Sequence, residues 1–277
     1  MNDLIRENLS YFDIYKRVFS AEKAVTPVRV PYAKGRDRYF LYYEPDNITS
    51  DKVIVWIHGG GWNSFEPAFF DFVGQCIAKA GYRFVSVGYR LSPLNKYPRQ
   101  IVDVCRGYEK TVHFLKSRGI DTSKVVMTGS SAGAHLASIL CYGKNVTKRL
   151  GIDTSGIIGF IGLGGPYSFS VKTGLPMRML LDMLFPIGYD RKKGEPLFLM
   201  EKSPIPMLLI QSRHDGLINF QCAESMRQKA AELGNSCEIY EVTGKKDTHS
   251  WYTAGLFLDT MENDPTLDRF FSWIERL

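Results

Sequence analysis

The stretch VVMTGSSAGAHLAS, residues 125–138, changes character at its midpoint. Val125 and Val126 open it as a strand would. Gly129, Ser130, Ser131 and Gly133 follow, and alanine and leucine close it in a composition that favours a helix. A buried strand running straight into a helix through Gly-x-Ser-x-Gly reads as a sharp turn with Ser131 at its apex. The glycines remove side chains that would strike neighbouring backbone. The apex hydroxyl is then held above the sheet edge, beside the free N–H groups that begin the helix. Because a glycine-cushioned turn can also be purely structural, the chemistry depends on what the rest of the chain brings to that point.

Outward from this turn, short β-branched or aromatic runs alternate with longer amphipathic segments. The runs are VIVWI (53–57), RFVSV (83–87), KVVM (124–127), IIGFIGL (157–163), PMLLIQ (206–211) and CEIYEV (237–242). Helices are expected at about 66–80, 98–118, 131–142, 220–234 and 264–276. Near-continuous apolar strands separated by helices imply a mostly parallel sheet covered on both faces. Ahead of it, residues 27–32 and 37–45 read as two antiparallel strands joined at Lys34-Gly35, and residues 1–25 as an amphipathic helix outside the alternation. No repeat or linker interrupts residues 1–277, so one α/β domain is expected. The Met-, Leu- and Pro-rich segment at about 170–203 is long for a connection, and such insertions commonly form a lid or binding wall.

A nucleophilic serine needs amides for the oxyanion, a base and an acid. VIVWI runs into His58-Gly59-Gly60-Gly61-Trp62, and three consecutive glycines suit close approach of main chain to a ligand. The amides of Gly60, Gly61 and Ala132 are the expected oxyanion hole. Five histidines allow selection by elimination. His58 belongs to the glycine loop, His113 lies mid-helix, His135 is one turn down the helix that Ser131 opens, and His214 follows a strand at the rim. His249 alone sits in a loop after the last strand, where an order Ser, acid, His places the base. Asp215, at the carboxyl end of PMLLIQ, is the expected acid. Asp247 competes by nearness to His249, though two residues on one short loop make a poor fixed pair. Ser130 is the rival hydroxyl.

Tyr89, Arg90 and Asp103 read as bracing beneath the site. Trp62, Tyr167 and Trp251 lie in loops expected near the substrate pocket, where apolar walls would suit an acyl or aryl group.

Composition limits the alternatives. With 277 residues, 44% hydrophobic and 23% charged, the chain can bury a sizeable core. No apolar run approaches the roughly 18 residues of a membrane span, and residues 1–18 lack a signal peptide's hydrophobic block. A soluble cytoplasmic protein without membrane insertion is expected. Five cysteines without a C-x-x-C pair suggest neither a disulfide framework nor a zinc site. The net charge of +6 is dispersed, with no basic stripe interleaved with aromatics, so nucleic acid is not an expected partner. A homodimer is the default expectation for such a protein.

Together HGGGW at 58–62, SVGYRLSP at 86–93, Asp103 after Pro98, GSSAGA at 129–134, RHDG at 213–216 and His249-Ser250-Trp251 resemble the α/β-hydrolase fold of the hormone-sensitive-lipase-like esterase branch. The resemblance spans nearly the whole chain. It implies an eight-stranded α/β-hydrolase sheet and a serine esterase acting on small acyl esters through an acyl-enzyme, with no metal or organic cofactor. It also implies a cap built from residues 1–25 and the 170–203 insertion. Esterases of that branch usually carry Asp before the nucleophile and Gly-Gly after the alanine, whereas here Ser130 precedes it and Ala134-His135 follows Gly133. The string SAGAHL is similar to that of kynurenine formamidases and small carboxylesterases, so a formamide such as N-formylkynurenine is the alternative substrate. From another class, the same fold could serve as a non-catalytic ligand-binding protein.

Overall fold

The computed structural model describes residues 3–21, 23–172 and 174–277. Its strands are β1 (Val28–Pro31), β2 (Tyr39–Tyr43), β3 (Val53–Ile57), β4 (Arg83–Val87), β5 (Val125–Ser130), β6 (Ile157–Leu163), β7 (Met207–Ser212) and β8 (Cys237–Val242). They form one open sheet in the order β1-β2-β4-β3-β5-β6-β7-β8. β2 pairs antiparallel with both β1 and β4, and every pairing from β4 to β8 is parallel. The eight-stranded, mostly parallel sheet expected from the sequence is therefore the one observed.

The helices are α1 (Asp3–Ser20), α2 (Asp71–Lys79), α3 (Arg99–Ser117), α4 (Ala132–Tyr142), α5 (Lys144–Leu150), α6 (Leu175–Leu184), α7 (Pro196–Leu199), α8 (Gln221–Leu233), α9 (His249–Thr253) and α10 (Pro265–Glu275). Strand alternation decides which helices cover which face. Val53, Val55 and Ile57 of β3 belong to a core with Ile101 and Val104 of α3, Leu136 of α4 and Met226 of α8. Ile54 and Trp56 belong to a second core with Val73 and Ile77 of α2 and Phe270 and Ile274 of α10. All five β3 side chains are fully buried. Burial of each stabilises the fold by roughly 1.5–3 kcal/mol, which is why a five-residue apolar run can anchor the sheet centre.

Three departures from the expected elements bear on the site. The N-terminal helix stops at Ser20 rather than running to 25. β5 continues through Gly129 and Ser130, so Ser131 directly follows a paired strand residue. His249 opens the short helix α9 instead of lying in a loop. Among the described residues of the 170–203 segment lie α6, a 3-10 turn at Arg191–Gly194 and α7. No described helix is long and apolar enough to cross a membrane.

Candidate active site

Ser131 occupies φ 49° and ψ −119°, a left-handed backbone conformation that costs a side-chain-bearing residue of order 1–3 kcal/mol. The surroundings enforce it. A Cβ on Gly133 would stand 2.0 Å from the Ile57 carbonyl oxygen, and one on Gly129 would stand 2.6 Å from the Gly133 carbonyl carbon. The Ser131 amide donates to the Leu163 carbonyl at 2.7 Å. Main chain from β3, β5 and β6 thus converges with no room for side chains, and the serine is what projects from it.

The glycine loop after β3 is folded just as tightly. Gly60 and Gly61 have φ 106° and 57°, and the Gly60 carbonyl accepts from the Asn63 and Ser64 amides at 3.1 and 3.0 Å. A Cβ on Gly60 would meet the Ser64 carbonyl oxygen at 2.4 Å, so glycine is required there. Trp62 also holds a positive φ, 60°, because both its ends are tied. Its carbonyl accepts from the Ser92 amide at 2.8 Å, and its indole N–H donates to His135 Nδ1 at 3.2 Å. The other ring nitrogen of His135 then carries the proton and donates to the Gly194 carbonyl at 2.7 Å. Burial pushes the His135 ring down to about 4, so it stays a neutral strut.

His58, buried and pushed down to about 4 by that burial, stacks on Tyr89 at 4.4 Å and donates to the Gly59 carbonyl at 2.8 Å. Tyr89 donates to the His58 carbonyl at 3.0 Å. The Asp103 carboxylate takes both the amide and the guanidinium of Arg90, at 2.7 to 3.0 Å. The bracing role expected of Tyr89, Arg90 and Asp103 matches these contacts.

The His249 ring donates through Nδ1 to Asp215 Oδ2 at 2.7 Å, which leaves Nε2 as the unprotonated nitrogen of the neutral ring. Asp215 has a fully buried side chain with every lone-pair direction engaged. Oδ1 accepts from the Leu217 and Ile218 amides at 2.8 and 2.7 Å, and Oδ2 also accepts from Gln211 at 3.2 Å and from the Tyr252 hydroxyl. Burial of the His249 ring disfavours its cation. The Asp215 charge and hydrogen bond, with the Glu7 charge, outweigh that and raise the ring above its ordinary value. Asp247, the rival acid, instead pairs with Arg6.

Ser131, His249, Gly60, Gly61 and Ala132 line one cavity of about 560 Å³. His249 packs its Cε1 over Gly164, one residue beyond the Leu163 that receives the Ser131 amide. Among the described residues no hydrogen bond joins the Ser131 hydroxyl to the ring. Such catalytic contacts often tighten only when substrate is bound. The walls are Tyr11, Phe12 and Tyr15 of α1, Phe65, Phe69, Phe70 and Phe72 around the start of α2, and Met177 and Leu180 of α6. No Asp, Glu, Lys or Arg lines the cavity among the described residues, and no described group of His, Cys, Asp or Glu side chains is arranged to hold a metal ion.

Of the three expected pocket residues, Trp62 lines the cavity. Tyr167 and Trp251 do not. Tyr167 is fully buried under the sheet end, and Trp251 turns away to donate to Asp264 at 3.2 Å. α9 explains the latter, since two positions along a helix point in different directions. Sequence reasoning missed Tyr252 and Gln211, although spacings of three from His249 and four from Asp215 were available as a signal. Glu7, which accepts the amide of His249, had no sequence signal at all.

An open, mostly parallel eight-stranded sheet with a Gly-x-Ser-x-Gly turn at a central strand's end defines an α/β-hydrolase. The BD-FAE family model matches residues 41–230, and the chain belongs to that family. It is 23% identical over 199 residues to esterase LipC of Mycobacterium tuberculosis, covering 66% of this chain and 49% of LipC. It is 35% identical over 123 residues to the FAD-linked oxidoreductase pytB of Aspergillus terreus, covering 44% of this chain and 14% of that protein. The chain spans less than half the length of either relative. Among solved structures, esterase B from Lactobacillus rhamnosis shares the fold with a TM-score of 0.77 at 18% identity, over 99% of this chain and 95% of that one.

Proposed function

We propose that the chain is a serine hydrolase of small carboxylic esters with apolar acyl or aryl groups. Ser131 is the nucleophile, His249 the base, Asp215 the orienting acid, and the amides of Gly60, Gly61 and Ala132 the oxyanion hole. The observation that carries the reading is the Asp215–His249 hydrogen bond of 2.7 Å at a cavity shared with a strained Ser131. His249 Nε2 removes the Ser131 proton as Oγ attacks the ester carbonyl. The tetrahedral oxyanion then rests on the loop and helix amides, each worth roughly 3 kcal/mol of barrier. Collapse expels the alcohol, protonated by His249, and water clears the acyl-enzyme by the same base.

The wall chemistry supports one of the two substrate classes over the other. N-formylkynurenine carries an ammonium and a carboxylate, and burying either without a partner is expensive. The uncharged lining of this cavity favours a neutral ester. Residues 1–25 and 170–203 act as a cap in this reading, since Tyr11, Phe12, Met177 and Leu180 form cavity walls. All five cysteines are unpaired, in keeping with a reducing cytoplasmic setting. The test is a parallel kcat/KM series on p-nitrophenyl esters of graded acyl length and on N-formylkynurenine. Ester turnover with little formamide turnover is expected. The reverse order makes the chain a formamidase, and no turnover of either together with no fluorophosphonate labelling of folded protein favours a binding protein.

A further inference from the structure

α9 begins with His249, and its cap residue Thr248 makes no side-chain bond to the helix it precedes. The first N–H groups of a helix have no partner within it. Here those of His249 and Ser250 both donate to one carboxylate, at 2.8 Å to Glu7 Oε2 and 2.7 Å to Glu7 Oε1. Glu7 lies on α1, more than 240 positions upstream, and only 3% of it is exposed. The same face of α1 makes two neighbouring ties: Thr248 donates to the Ser10 hydroxyl at 2.8 Å, and Arg6 pairs with Asp247. Four consecutive residues of the histidine segment, 247 to 250, are therefore held by Arg6, Glu7 and Ser10.

We propose that Glu7 is a positioning residue for the hydrolase reaction, fixing the backbone that carries the His249 imidazole at the cavity it shares with Ser131. The proposal rests on the reading of Ser131, His249 and Asp215 as the triad. Asp215 sets the ring's rotation about its own bonds, whereas Glu7 sets where the ring is carried. Because Tyr11, Phe12 and Tyr15 on the same helix form part of the cavity wall, one element carries both substrate contacts and the support of the base. The groups facing His249 are Asp215 from the loop after β7, Tyr252 from α9 and Glu7 from α1, with the Tyr11 phenol beside them on the cavity wall.

The test compares Glu7→Gln, Glu7→Asp and Ser131→Ala, with the exposed Asp13→Asn as the control for charge on α1. Glu7→Gln keeps the size but turns an N–H donor toward a backbone N–H. Since sub-ångström misplacement of a reacting group is enough to slow the chemical step, its kcat on p-nitrophenyl acetate is expected to fall about tenfold or more. KM stays within about twofold, because substrate contacts are untouched. The acid limb of its kcat/KM profile moves to lower pH, because a carboxylate that favours the imidazolium is gone. A merely structural staple would leave kcat unchanged in folded protein even though loss of its charge still moves the limb, so a folded Glu7→Gln with wild-type kcat overturns the proposal wherever its limb falls. Glu7→Asp keeps the charge but cannot reach both amides. Its kcat is expected between the two, and if Glu7→Gln does not fold, a wild-type kcat in Glu7→Asp is the overturning result. Turnover lost in Ser131→Ala but kept in folded Glu7→Gln brings down this proposal alone. Turnover kept in Ser131→Ala brings down the triad reading and this proposal with it.

Discussion

Around Ser131 the chain packs main chain on main chain, with Gly129, Gly133 and the end of β3 leaving less than 3 Å for any added Cβ. Around His249 it does the opposite. There the support comes from side chains: Asp215, Gln211 and Tyr252 on one part of the segment, and Glu7, Ser10 and Arg6 from the far end of the sequence on another. Ser131 is held by sterics that no rotamer can relieve. His249 is held by a polar network whose members can each be removed one atom at a time. The contrast suits the proposed roles, since a nucleophilic serine must stay at one point while a general base receives a proton and passes it on.

Removing a single oxygen from the polar side gives the largest expected effect. Asp215→Asn keeps the volume but presents an N–H to the ring, favouring the wrong tautomer, and kcat is expected to fall roughly 10³–10⁴-fold, with a lower thermal midpoint because the amide N–H also faces buried donors. Steady-state kinetics on p-nitrophenyl acetate measure it. A loss below tenfold would mean that the 2.7 Å contact does not orient the base.

On the backbone side, the damage is expected in stability as well as rate. Gly133→Ala places a methyl 2.0 Å from the Ile57 carbonyl oxygen, and the main chain has to shift. Denaturant unfolding is expected to show a loss of about 3 kcal/mol, accompanied by a fall in kcat as Ser131 moves. If stability and rate were both unchanged, the elbow would be less crowded than described.

Trp62→Phe probes the link between the halves, where the oxyanion loop reaches the insertion through His135. It leaves a buried acceptor at His135 Nδ1 without its donor, for an expected cost of about 1–2 kcal/mol in the same unfolding experiment. The smallest effect is in pH dependence. Despite burial of the His249 ring, the Asp215 and Glu7 charges hold it above its ordinary value, and in the proposed mechanism the ring must be neutral to act, so kcat/KM is expected to fall as pH drops through that raised value. The wild-type acid limb is expected above the ordinary histidine pKa of about 6.5. A limb below it would contradict the Asp215 and Glu7 charges acting on the ring.

The same contrast explains what could be read without coordinates. β3, β4, β6 and β8 were legible to the residue because each is a short run rich in β-branched and aromatic residues. The elbow and the glycine loop were legible because their physics is local, a strand ending where side chains have no room. His249 and Asp215 followed from chain order. What lay hidden depends on contacts between distant segments. Nothing in DLIRENLSYF marks Glu7 as different from an exposed helix acid, and nothing in THSW says that the segment turns helical once a remote carboxylate caps it. Trp251 was misplaced for the same reason, because a loop reading lets its side chain face the cavity while a helix does not.

The claim that everything else depends on is the reactivity of one hydroxyl. Treatment with a fluorophosphonate, followed by peptide mass spectrometry, locates it directly. A single adduct on Ser131, lost in Ser131→Ala and slowed in Asp215→Asn, is the expected result. An adduct on Ser130 or Ser250, or no adduct on folded protein that still turns over esters, would contradict the account.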